Sequence, residues 1–87
     1  MTILETIAKL EREKSGTRFS QLIKICETFF GEARVKGSHH IFKTPWPGDP
    51  RLNIQADKGK AKPYQIDQVI SALIKLGQIE EKGEGNN

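Results

Sequence analysis

The distribution of apolar residues predicts an α+β domain in which two helices lead into a three-stranded antiparallel meander and a third helix closes the chain. Two observations carry this. Apolar residues recur at intervals of three and four in residues 2–30 and again in residues 63–77, and between these stretches the period shortens toward two. The links between the short-period segments are brief and rich in glycine and proline, whereas a parallel pair would need a long crossover. At 87 residues the chain suits one domain. The expected layout is a domain over residues 1–79, with an additional N-terminal helix in 1–16 and a core in 17–77, and a polar, disordered tail in 80–87.

The first helix starts from a capping box, with Thr2 as N-cap and Glu5 reaching back. Ile3, Ile7 and Leu10 share one face, Glu5 and Lys9 are spaced for an ion pair, and Ser15-Gly16 marks the end. A second helix is expected over residues 18–30, capped by Thr17 and stopped by Gly31, with Phe19, Leu22, Ile23, Cys26 and Phe29 as its apolar stripe. Cys26 reads there as a small buried hydrophobe. Strands follow at residues 32–35, 39–44 and 52–55, joined by a Gly37-Ser38 turn and by the Pro45-Trp46-Pro47-Gly48-Asp49-Pro50 connection, which is too dense in turn formers to be helical. Residues 57–62 form a loop. Pro63 suits the first turn of a closing helix whose stripe is Ile66, Val69, Ile70, Leu73 and Leu76, with Gly77 as its stop. Two amphipathic helices can cover one face of the meander. The other face is left for solvent or a ligand.

Charge is unevenly placed. Residues 31–62 hold seven basic and three acidic side chains, whereas residues 63–87 hold two basic and four acidic ones. A basic middle of this kind is a candidate phosphate-binding surface. The chain has no apolar run of membrane-spanning length, and its acidic, short-apolar N-terminus does not read as a secretory signal. A single cysteine excludes an intramolecular disulfide and fits a reducing cytoplasm. One cysteine and two adjacent histidines lack zinc spacing, so neither metal nor cofactor is expected. Serine-nucleophile and P-loop motifs are absent.

Both histidines stand together in Lys36-Gly37-Ser38-His39-His40-Ile41-Phe42-Lys43. Imidazole exchanges protons in both directions near neutral pH, and flanking lysines suit a polyanionic substrate. Adjacent strand residues point to opposite faces, so His39 and His40 are not expected to serve the same phosphate. Lys36 and Lys43 suit charge neutralisation, and Ser38 suits donation to a phosphate oxygen or simply a turn. Lys58, Lys60 and Lys62 precede Pro63, where a helix N-terminus already favours phosphate. Trp46 suits stacking on an unpaired base, or folding back over the small core.

Gly37-Ser38-His39, followed by a short strand ending in Phe42-Lys43, resembles the glycine-serine-histidine motif of the HicA toxins. Thr44-Pro45-Trp46-Pro47-Gly48-Asp49-Pro50-Arg51, Asn53-Ile54-Gln55 and Gly59-Lys60-Ala61-Lys62 resemble one branch of that family. The resemblance covers about residues 17–77. It implies a fold like a double-stranded-RNA-binding domain, in which lysines at a position comparable to Lys58, Lys60 and Lys62 grip phosphates across a groove. It also implies a metal-independent endoribonuclease acting on mRNA, the toxin of a type II toxin–antitoxin pair, with a HicB-like antitoxin as partner. The catalytic histidine that follows the Gly-Ser pair falls on His39. Many family members carry a second histidine near the third strand in a Pro-x-His context. Here Leu52-Asn53-Ile54-Gln55 has none, which leaves the second acid/base group unassigned. The other readings are a noncatalytic RNA-binding module and a basic interaction surface for an acidic protein.

Overall fold

Three antiparallel strands, β1 (Arg34–Lys36), β2 (His39–Phe42) and β3 (Leu52–Gln55), form an open sheet in the order β1-β2-β3. Helices α1 (Ile3–Arg12) and α2 (Phe19–Phe30) precede it and α3 (Pro63–Gly85) follows it. This architecture comes from a computed structural model that describes residues 1–47, 52–56 and 58–85, with side chains described as far as Glu80. Residues 48–51 of the proline-rich connection, residue 57 of the following loop and residues 86–87 of the tail lie outside the described residues.

The core lies between the sheet and two helices. Phe42 and Ile54 are fully enclosed and Leu52 nearly so; α2 packs against β2, and α3 packs against β3. Leu22 and Cys26 from α2 and Ile66, Val69 and Leu73 from α3 complete this layer. Burying each large apolar side chain contributes on the order of 1.5–3 kcal/mol. The predicted α3 stripe is buried along its whole length, Ile70 and Leu76 included. β3 alternates strictly, with Leu52 and Ile54 inward and Asn53 and Gln55 exposed.

The capping box of α1 forms as expected. The Thr2 Oγ1 accepts from the Glu5 amide at 3.1 Å, and the Glu5 carboxylate accepts from the Thr2 amide at 3.0 Å. These bonds, the backbone one foremost, hold the Glu5 carboxyl below its usual range. The cap's contribution is therefore present above that range and fades as acid protonates the group. With its carboxylate turned back, Glu5 does not make the expected pair with Lys9. The ion pair observed among the described residues is Lys14 to Asp67, which ties the turn after α1 to α3. Both partners are substantially exposed, so it contributes no more than about 1 kcal/mol.

Two further expectations are corrected. Thr17 does not cap α2. It is buried and its hydroxyl donates to the Glu13 carbonyl at 2.8 Å, closing the end of α1. Arg18 is the N-cap instead, its amide donating to Oε1 of Gln21 at 3.1 Å. Gly77 does not stop α3. A glycine ends a helix by turning left-handed, and the left-handed glycines among the described residues are Gly31, Gly37 and Gly59. Gly77 stays helical beneath the Ile3 side chain of α1, and α3 continues to Gly85. Helical backbone therefore covers residues 80–85 of the segment expected to be a disordered tail.

Candidate active site on the open face of the sheet

The site starts from a two-residue turn. Gly37 takes a φ of +61°, the backbone that glycine at the first central position of a type II′ hairpin supplies. That turn sets Lys36 opposite His39, and the β2–β3 ladder sets His39 opposite Gln55 and Ile41 opposite Asn53. Alternation then sorts the side chains. Arg34, Lys36, His39, Asn53 and Gln55 stand exposed on the face away from the helices. His40 falls on the other side, partly buried, with its ring edge-to-face against Phe19 at 5.1 Å between centroids. Its Nδ1 is buried and finds no hydrogen-bond partner among the described residues.

Two side-chain hydrogen bonds cross from β3 to the histidine turn. Nδ1 of His39 lies 3.2 Å from Oδ1 of Asn53. Gln55 donates through Nε2 to the Ser38 hydroxyl at 2.8 Å. Neither Asn53 nor Gln55 stood out in the sequence as a site residue. The available signal was the polar-outward phase of Leu52-Asn53-Ile54-Gln55, which puts both amides on the same face as His39 once the hairpin register is known.

Lys58, Lys60 and Lys62 are all exposed and line a shallow depression of about 330 Å³ with Ser15, Ala61 and Pro63. Their backbone is fixed to the start of α2. The Phe19 amide donates to the Gly59 carbonyl at 3.1 Å, the Ala61 amide donates to the Thr17 carbonyl at 3.3 Å, and Arg18 bridges to Lys60. The loop leaves β3 just after Gln55, so it begins at the same end of the sheet as Ser38 and His39.

Lys43 and Trp46 are not brought to this end. Lys43 is exposed one residue past β2, which places it roughly 13 Å along the strand from His39. Trp46 is partly buried and folds back toward α3. Its ring meets Phe30 edge-to-face at 6.2 Å, and the Lys75 ammonium lies 4.7 Å from its centroid. With Leu52, Tyr64 and Ala72 it lines a separate groove of about 390 Å³.

Burial pushes the Cys26 thiol up to about 12, with the Glu27 charge adding to the effect, so it stays protonated and is no nucleophile. Among the described residues no three His, Cys, Asp or Glu side chains gather to form a metal site, and no helix is long and apolar enough to cross a membrane. No family model matches the chain, and no curated protein or solved structure is significantly similar to it.

Proposed function

We propose that this chain is a HicA-like toxin, a metal-independent endoribonuclease that cuts mRNA with His39 and is held inactive by a HicB-like antitoxin. The observation that carries the reading is the separation of the two histidines. His39 is exposed beside Lys36, while His40 is packed against Phe19 on the helix side. The element order from α2 through the meander to α3 supports a fold like a double-stranded-RNA-binding domain. The lysine loop supplies a second place for phosphate at the same end of the sheet.

The chemistry uses the RNA's own 2′-hydroxyl. Its proton passes to His39 as the oxygen bonds to the adjacent phosphorus. The bond from phosphorus to the 5′-oxygen breaks, that oxygen takes a proton from water, and the hydroxide left behind receives the proton that His39 had gained. The products are a 2′,3′-cyclic phosphate and a free 5′-hydroxyl. Lys36 and Ser38 are placed to meet charge gathering on the phosphoryl oxygens.

Replacing His39 with Ala tests this. The variant is expected to lose growth arrest on induction and to slow RNA cleavage by about 10²- to 10⁴-fold, the range of a positioned acid or base. Its circular dichroism and RNA affinity should match the parent. Cleavage at the parental rate would remove His39 from the mechanism. RNA binding without cleavage by the parent itself would make the chain a noncatalytic RNA-binding module.

A further inference from the structure

Building on the ribonuclease reading, we propose that Asn53 is a positioning residue that keeps the proton of neutral His39 on Nδ1 and leaves Nε2 as the proton acceptor. His39 and Asn53 are diagonal neighbours on the open face, because β2 and β3 pair His39 with Gln55 and Ile41 with Asn53. Diagonal cross-strand neighbours lie within reach of long side chains. The contact runs from Nδ1 to Oδ1, the amide oxygen, at 3.2 Å. An amide oxygen only accepts, so Nδ1 must donate. In a neutral imidazole the other nitrogen then holds the lone pair, and the partner of one nitrogen decides the role of the other. No second hydrogen bond to this ring forms among the described residues, so Asn53 is the protein group in position to bias the tautomer. His40, one residue on, shows the contrast, since its Nδ1 has no such partner.

The neighbouring pair works in the same sense. Gln55 donates to Ser38 Oγ, so the Ser38 hydroxyl hydrogen is left to be given elsewhere, as to a phosphate oxygen. Two polar residues of β3 thus orient two residues of the β1–β2 turn. As His39 takes a proton at Nε2, the Asn53 oxygen still accepts from Nδ1, so the imidazolium keeps its partner.

The test is ¹⁵N NMR of the full-length protein, read at mildly alkaline pH on the parent, Asn53→Ala and Asn53→Asp. The parent His39 ring is expected as the Nδ1–H tautomer. Asn53→Ala should revert it to the Nε2–H form that an unconstrained histidine side chain favours, and Asn53→Asp, whose carboxylate also accepts, should restore Nδ1–H. A parental ring in the Nε2–H form would mean that the amide is turned to donate, and overturns the proposal. So does an Nδ1–H ring that persists in Asn53→Ala. The tautomer is read without RNA, so this result stands apart from the His39→Ala cleavage test, which alone decides the ribonuclease reading. In turnover, Asn53→Ala should lower kcat about 10- to 100-fold, by analogy with loss of the partner that orients a metal-ligating histidine, with KM unchanged.

Discussion

His39 and His40 are chemically identical and adjacent, and the pleat of β2 gives them different surroundings. His40 packs its ring on Phe19 and buries an Nδ1 that has no partner among the described residues. Such a nitrogen forfeits its hydration without gaining a protein hydrogen bond, a loss on the order of 1–3 kcal/mol for a fully buried group. His40→Phe keeps the edge-to-face contact and removes the polar atom. It is expected to hold or raise the melting temperature, and to leave intact the RNA cleavage proposed for His39. Thermal denaturation beside a cleavage assay checks both, and a variant that folds but does not cut would make His40 the working residue. This sorting was legible in the sequence, because period-two alternation needs only the strand. The contacts to Asn53 and Gln55 were not. They depend on the register between β2 and β3, and the proline-rich connection between those strands, unlike a two-residue turn, does not determine it.

At the scale of elements, strand and helix positions followed from periodicity and capping residues, while the ends were set by tertiary contact. β3 was expected at residues 52–55 and is found there, since its alternation is strict. Thr17 has the chemistry of an N-cap, but burial turned its hydroxyl back onto α1. Gly77 has the chemistry of a helix stop. In the structure it marks the crossing of α1 over α3. A Cβ built on Gly77 would lie 3.7 and 3.9 Å from two Ile3 side-chain carbons, an ordinary packing distance. Gly77→Ala therefore fits without displacing α1, and alanine is favoured over glycine in a helix interior by about 1 kcal/mol. For a domain of this size that corresponds to a rise in Tm of about 4–8 °C. A calorimetric scan checks it. A lowered Tm would mean that α1 and α3 approach more closely at Gly77 than these distances allow.

On the scale of the whole molecule, the segments proposed to meet phosphate start from one end of the sheet. The hairpin turn presents Ser38 and His39, β3 ends at Gln55, and the chain runs from there into the lysine loop. That loop is bonded through Gly59 to Phe19, whose ring meets His40 beneath the sheet. The histidine turn and the lysines are therefore held by one framework rather than by two independent segments. The groove beside Trp46 runs along α3 from Tyr64, over whose ring Lys62 lies, to Lys75. Composition alone showed that the middle of the chain is basic, but it did not separate Lys43 from the loop lysines. The fold does, because Lys43 follows the far end of β2. If Lys58, Lys60 and Lys62 each neutralise one phosphate of a single strand, replacing all three with Gln should weaken RNA binding at low salt. It should also flatten the slope of log K against log[salt] by roughly 2. His39→Ala should leave that slope unchanged, because proton transfer and counterion release are separate contributions. Titration of a labelled RNA over a range of salt concentrations measures both variants. An unchanged slope in the triple variant would take the lysine loop out of the RNA interface and leave the open face of the sheet to carry the affinity.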